Sequence, residues 1–518
     1  MSYHRCADLY LLFYIGTILN ICSQNSACRL GTETECKVAP FVPGYNLAGE
    51  GFDVVSLRRK GAYLINVKSY VFENNTCIVC ENRLQKGQLQ KLPLAVVDWR
   101  PISQCSKMSS ALHHSVDSLI KSSSSLISNN WVVDLSLDEI GNAILMGSSS
   151  NIAKFAQSQH MMDKVTFALQ EISCTYYRYR VINQPELSAE FAKHLLQLPK
   201  NYNEKTKSKY RWIINTYGTH YIRHVNLGGH VRQVTAFRTC LATLKGFRES
   251  EIKNCINIDL KIALGLLPAN ISISNRCSHI LKDNMEMGSH LGFLTQNLEV
   301  LGGESYFPDF EFHQNSAKSY RSWINSLCDY PDIISYAISP LQQLVADPEL
   351  SASLKMAVTE YIEENRLSTK RNRNHGCNLT PNLDHNCCPL QAGHGSLKVM
   401  VQRATGLPGD FFSQADCYVK IWYNNIYERT GIVNNNNNPE WYQSYTFGSI
   451  EFGHALILEV WDSDVWFDDI LGRCVVYPER GSYLRTCRFN NAVFYFTYTA
   501  QCDAHLAGYS CERYSPED

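Results

Sequence analysis

Apolar residues along this chain change their period several times, and each change predicts a different element. Between Pro185 and Leu198, the positions Leu187, Phe191, Leu195 and Leu198 recur at helical spacing, with Asn183 and Pro185 as start signals. Tyr320, Trp323, Ile324 and Leu327, then Leu350, Leu354, Ala357, Val358 and Tyr361, repeat the pattern and predict two more amphipathic helices packed on a core. Between them, Ile256 to Leu266 (INIDLKIALGL) alternates apolar with polar or small residues, which predicts a strand. A half-buried strand of a soluble sheet shows that alternation and is the plainer reading. The segment also has the roughly 9 to 11 residues that a tilted transmembrane β-strand needs. From Gly395 onward, short strand patterns (Leu397, Val399 and Val401; Tyr418 to Tyr423; Leu456 to Trp461) alternate with Gly, Pro and Asn turns and predict a β-sandwich.

The chain has 518 residues, more than one hydrophobic core organises, so several domains are expected. Residues 1–23 read as a signal peptide: His4 and Arg5 approach an apolar run from Leu9 to Ile21 that Gly16 and Asn20 interrupt, too short for a membrane anchor. Residues 28–366 form a large mixed domain, 367–394 a link that opens on the basic, polar LSTKRNRN, 395–500 the sandwich, and 501–518 a cysteine-containing tail. The mature chain is expected to be secreted in water-soluble form and to refold if it enters a membrane. Twenty cysteines fit an oxidising compartment with disulfides. Cys77-x-x-Cys80 is half a zinc site with no second half nearby, and Cys28, Cys36, Cys77 and Cys80 suit stapling instead. Sequons at Asn74, Asn270 and Asn378 are compatible with secretion. Lys plus Arg (48) balances Asp plus Glu (49), so no global field favours nucleic acid.

Charge matters locally. Asp410 and Asp416 fall in one inter-strand loop of the sandwich, and Asp462, Asp464, Asp468 and Asp469 in another. So many carboxylates in a small space repel unless protons or a cation neutralise them, and Ca2+ takes six to eight such oxygens. A solvated acidic loop explains one cluster but not two on the same end of a sandwich. Phe411 and Phe412 in the first loop, and Val465, Trp466 and Phe467 in the second, interrupt those runs, where burial in the core is awkward. They are the candidate membrane-contacting residues, because aromatic rings settle at the lipid–water interface. Bound calcium would cancel the charge that repels anionic lipid.

This arrangement resembles the calcium-binding C2 domain, whose matching positions here are Asp410, Asp416, Asp462, Asp464 and Asp469, with Gly472 following. The spacing from Asp464 to Asp469 is one residue tight, so Asp468 shares or replaces the role of Asp469. Asn438-Pro-Glu-Trp441 is similar to a turn of the same family. Tyr217, Gly218, Thr219, His220 and Tyr221 carry the short signature of the membrane-attack-complex/perforin (MACPF) family. FVPG (41–44), LAGEG (47–51), SLRR (56–59), LPLA (92–95), Leu227-Gly-Gly229 and Leu301-Gly-Gly303 resemble it too. The resemblance implies an α+β MACPF fold, a kinked antiparallel sheet with two flanking helical clusters, followed by an all-β C2 sandwich.

Each cluster, about Ser148 to Cys174 and about Ile256 to Val300, would unwind into a β-hairpin and join a homo-oligomeric ring-shaped barrel in a phospholipid membrane. That moves Ile256 to Leu266 toward the barrel, and Lys164 to Gln170 alternates more weakly in the other cluster. Gly228, Gly229, Gly302 and Gly303 suit hinges or ordinary turns. His220 has no nucleophile motif beside it, and no enzyme is expected. The implied function is calcium-dependent cytolysis in immunity, from cytotoxic granules onto a target-cell plasma membrane, with granule proteases passing through the pore. The alternative is a non-lytic, calcium-dependent lipid binder. Where the family has an EGF-like module, this link has only Cys377, Cys387 and Cys388, a reduced segment. The adjacent cysteines are expected to have different partners, by resemblance one of them Cys240, whereas Cys328 and Cys417 lack obvious ones. The Asn270 sequon falls inside the second cluster, where a glycan would obstruct insertion.

Overall fold

Five strands dominate the central antiparallel sheet of the computed structural model: β1 (Val96–Cys105), β2 (Val165–Val181), β3 (His220–Arg238), β4 (Leu294–Leu301) and β5 (Asp332–Pro340). The structure describes residues 28–125, 127–128, 135, 145–268, 273–282, 293–304, 316–367, 381–409, 413–465 and 467–516. β3 is the spine. On one side β2 follows it from His224 to Arg238; on the other, β5 pairs with it up to Gly228 and β4 takes over from His230. β1 and the strand Ser109–His113 extend the sheet beyond β2.

Among the helices are α1 (Asn151–Met162), α2 (Ala189–Leu196), α3 (Lys207–Tyr217), α4 (Glu249–Ala263), α5 (Asn275–Lys282), α6 (Ser316–Ser326) and α7 (Pro348–Glu364). The three helices expected from apolar spacing are α2, α6 and α7. Local chemistry starts them: Ser188 accepts the Phe191 N–H, and Asp347 accepts the Glu349 and Leu350 N–H groups with Pro348 in the first turn. Phe191, Trp323 and Leu354 then bury against the sheet's core alongside Tyr177, Tyr179 and Tyr217.

Two expectations need correction. Ile256 to Leu266 is not a strand in this structure; most of it lies in α4, whose buried residues are Ile252, Cys255, Ile256, Leu260 and Ala263. That stripe has helical spacing, and it begins four residues before the alternating window, so both patterns coexist in one stretch. The helical clusters are also displaced from their expected bounds: helices Val116–Ser123 and Thr239–Leu244 and the first turns of α4 precede Ser148 and Ile256, and both clusters end earlier than expected. Lys164 to Gln170 belongs to the junction and start of β2, and Leu294 to Val300 to β4, because these segments pair with β3 rather than covering it.

The second domain is a sandwich of eight strands: β6 (His394–Thr405), β7 (Cys417–Tyr423), β8 (Ile426–Arg429), β9 (Glu440–Glu451), β10 (Leu456–Asp462), β11 (Asp469–Val476), β12 (Gly481–Phe489) and β13 (Ala492–Cys502). They form sheets in the orders β9-β6-β13-β12 and β8-β7-β10-β11. Leu397, Val399 and Val401 meet Val419, Ile421, Leu458 and Val460 between them.

Disulfides Cys28–Cys80 and Cys36–Cys77 staple the entry segment, so the CxxC serves no zinc. Cys105–Cys174 joins β1 to β2, Cys255–Cys277 joins α4 to α5, and Cys474–Cys487 and Cys502–Cys511 close the sandwich and tail. Cys388 reaches Cys240, Cys387 is separately disulfide-bonded, and Cys328 and Cys417 are free thiols. No helix among the described residues is long and apolar enough to cross a membrane.

Candidate functional site

Strand register gathers the acidic loops of the sandwich. Cys417 of β7 stands opposite Asp462 of β10, which stands opposite Asp469 of β11. Asp416, Asp462 and Asp469 therefore share one end, with Asp464 and Asp468 in the loop between. Asp462 is only 3% exposed, and its Oδ1 accepts the Asp416 N–H at 2.6 Å. The Asp416 carboxylate accepts the Asn435 N–H at 2.6 Å. The Asp468 carboxylate accepts the Tyr418 hydroxyl at 2.5 Å and the Asp464 N–H at 3.3 Å. The Tyr418 bond holds the Asp468 carboxyl below the usual carboxylate range, and burial, then Asp468, pushes the Tyr418 phenol up.

Side chains beside these carboxylates point outward: Val465 is 95% and Phe467 84% exposed. Asp410, Phe411, Phe412 and Trp466 lie outside the described residues. Among the described residues no three acidic, histidine or cysteine side chains converge as a closed metal site. The donor chemistry nevertheless fits a hard divalent cation, because Asp416, Asp462, Asp464 and Asp469 are all-oxygen donors on one rim. Supporting residues went unnoticed in the sequence. The run Asn434 to Asn438 props the first loop, with Asn435 accepting the Gln414 N–H and Asn437 the Ala415 N–H, both at 3.0 Å. An unbroken asparagine run beside an acidic loop is the signal that pointed there.

The signature residues form a seam rather than a reactive site. Tyr217 ends α3, its hydroxyl 2.7 Å from His194 Nδ1. Gly218 has φ 82°, and a Cβ there would stand 2.4 Å from the Phe52 carbonyl oxygen, so only glycine fits. Thr219 Oγ1 accepts the Val54 N–H at 3.0 Å, and His220 Nδ1 lies 2.7 Å from the same oxygen. Burial pushes the His220 pKa down to about 3, so the ring stays neutral near pH 7. Tyr221 is buried and pairs with Ser339 of β5.

Gly228 and Gly229 lie within β3 where β5 hands over to β4, so they are not an ordinary turn. Gly302 and Gly303 follow β4 with φ of 75° and 89°. A Cβ on Gly302 would stand 2.2 Å from the Gly228 carbonyl oxygen, and one on Gly229 would stand 2.4 Å from the Trp323 ring. Trp323 locks the junction by donating its Nε1–H to the Gly302 carbonyl at 2.9 Å. The Asn74 sequon sits in an exposed turn, whereas Asn270 and Asn378 lie outside the described residues.

Residues 41–371 match the MAC/Perforin domain and residues 395–485 the C2 domain. The chain belongs to the MAC/Perforin family. It is 33% identical to Perforin-1 of Mus musculus over 98% of this chain and 97% of that protein. It is likewise 33% identical to Perforin-1 of Homo sapiens, over 95% of this chain and 93% of the relative. Among solved structures, it is similar to GNIP1Aa from Chromobacterium piscinae, with 13% identity, 92% coverage of each chain and a TM-score of 0.47. The MAC/Perforin family consists of non-enzymatic pore formers, and its combination with a C2 domain implies membrane binding and oligomerisation. The many disulfides are consistent with a secreted protein of that family.

Proposed function

We propose that this chain is a secreted, calcium-dependent cytolysin that docks through its C2 rim, oligomerises into a ring and inserts β-hairpins. One observation carries the reading: two outward apolar side chains, Val465 and Phe467, stand beside a rim of carboxylates that register brings together. Asp416, Asp462, Asp464 and Asp469 would hold calcium, with Asp410 from the first loop, and the ion would supply charge neutralisation. Val465 and Phe467 would then enter the lipid interface, with Phe411, Phe412 and Trp466 as further contacts.

The sheet supports the second half of the reading. The helices between His113 and β2, and those between β3 and β4, each connect antiparallel neighbours in the sheet. Unwinding them would lengthen ladders already in register. α1 has 12 residues and α4 has 15. Extended, these reach roughly 40 and 50 Å, against about 30 Å of hydrocarbon. Continuing the β3–β4 register places Cys255 opposite Arg276, one residue from its disulfide partner Cys277. The disulfide therefore suits both forms, and Ile256 to Leu266 would follow it into the membrane with lipid-facing alternation. Closure of strands into a barrel leaves no backbone group unpaired in lipid.

Release of calcein from phosphatidylcholine/phosphatidylserine liposomes tests this. Leakage is expected with calcium and not with chelator, and equal leakage in chelator sinks the calcium dependence. Calcium-dependent binding without leakage would instead select a non-lytic lipid binder, the reading that the Asn270 sequon favours.

A further inference from the structure

One end of the central sheet carries a crowd of positive charge that nothing above uses. Arg100 of β1, Arg178 and Arg180 of β2, and His224 of β3 line a cleft of about 250 Å3 together with Asp98 and Tyr179, and Arg223 lies beside them. Register enforces the crowding, because Arg100 stands opposite Arg178 and Arg180 opposite His224. Tyr177 and Tyr179, the alternate residues of β2, point into the core, so Arg178 and Arg180 share the outer face.

Little on the protein compensates this charge. Asp98 pairs with Arg180, and it is the one acidic side chain among the described residues lining the cleft. Arg100 and Arg178 make no ion pair among the described residues. Arg223 donates to Asn183 Oδ1 at 2.9 Å, while its buried Nε finds no partner among them. Burial, then Arg223, Arg180 and Arg178, holds the His224 pKa below its ordinary value. Like charges directly opposite one another destabilise a sheet, and an anion in the cleft would reverse that effect. A guanidinium presents two parallel N–H donors that match phosphate and sulfate oxygens. The volume equals roughly eight water molecules, enough for a polyatomic group.

We propose that this cleft binds a dissolved oxyanion with two or more negative charges, of the phosphate, pyrophosphate or sulfate-ester class, through Arg100 and Arg178. The β2–β3 ladder runs from His224 opposite Arg180 to Arg238 opposite Val165. That is about 45 Å at 3.3 Å per residue, which puts the cleft at the opposite end of the ladder from the junctions where the extended hairpins would begin. The choice of a dissolved source over a lipid headgroup rests on the pore-forming reading.

Calorimetric titration of the full chain, without calcium and at constant ionic strength, tests the site in three arms: inorganic pyrophosphate, a heparin-derived hexasaccharide, and phosphatidylserine-containing vesicles. Binding of pyrophosphate identifies a small free ligand, and binding of the hexasaccharide alone identifies sulfate esters displayed on a polymer. In either case Arg178→Ser and Arg100→Ser are expected to weaken binding at least tenfold, while Lys398→Ser, a loss of the same charge in the second domain, leaves it unchanged. Calcium-dependent leakage by the Arg178→Ser variant separates failure of this site from failure of the pore-forming reading. Absence of binding in both soluble arms, equal affinity of Arg178→Ser and wild type, or capture by vesicles alone would overturn the proposal.

Discussion

Asp462 and His220 carry the same lesson at the scale of the residue: burial decides what an ionisable group does. Asp462 is enclosed and bonded to the Asp416 N–H, so it organises the rim from within, whereas Asp468 is turned toward Tyr418. The aspartates were legible in the sequence because their spacing is local; these partners were not, because β7 and β10 meet only in the folded sheet. Asp462→Ala and Asp464→Ala are each expected to abolish calcium-dependent liposome sedimentation with an unchanged circular dichroism spectrum. Retained sedimentation would remove them from the site. In His220 burial acts on the titration. Its folded pKa is depressed to about 3, against about 6.5 when exposed, so only the unfolded state takes up a proton as pH falls below 6.5. Stability from this residue is present above pH 6.5 and declines by about 1.4 kcal/mol per unit below it. Urea unfolding at pH 6.5 and pH 5 is expected to show wild type losing about 2 kcal/mol more than His220→Gln, and equal losses would refute the assignment.

Among elements, α4 shows a sequence that satisfies two periods at once. Ile256, Ile258, Leu260 and Ile262 alternate as a strand would, yet Ile252, Cys255, Ile256, Leu260 and Ala263 form the buried helical stripe. The helix prevails here because Ile252, Cys255 and Ile256 pack with Ile280, Phe293 and Leu294 in a local core while Leu260 joins the core of the central sheet, which a lone strand cannot do. The alternation remains available for a second state. The Cys255–Cys277 bond pins α4 to α5 at positions within one residue of the continued β3–β4 register. A Cys255→Ser/Cys277→Ser variant is expected to lose about 3 kcal/mol of stability, as for loops near this length, and to leak liposomes several-fold more slowly at unchanged calcium-dependent binding. Undiminished leakage would show that the disulfide does not guide the hairpin.

The C-terminal tail ties distant parts of the molecule together. Arg238, where β3 ends, pairs with Asp163, where α1 ends, at 2.5 Å, with both side chains nearly buried. Tyr514 donates its hydroxyl to the same Asp163 at 2.6 Å and lies under the Arg238 guanidinium, 4.7 Å from ring centroid to Cζ. One tail residue thus clasps the joints of both helical segments that lengthen in the proposed pore. Tyr514→Phe is expected to lower the melting temperature by the few degrees that 1 to 3 kcal/mol implies, and to speed leakage at fixed calcium. Slower leakage would assign the contact to the pore rather than to the soluble form. By itself the sequence determined what depends on near neighbours along the chain: the amphipathic α2, α6 and α7, the strand-rich second domain, the two aspartate loops and the cysteine-rich, two-domain plan. Only the tertiary structure decided that Ile256 to Leu266 is helical here, which aspartates meet, and that Tyr514, Asp163 and Arg238 form one clasp. Periodicity is written over a few turns of chain, whereas register, burial and contacts between residues hundreds of positions apart exist only once the sheets have assembled.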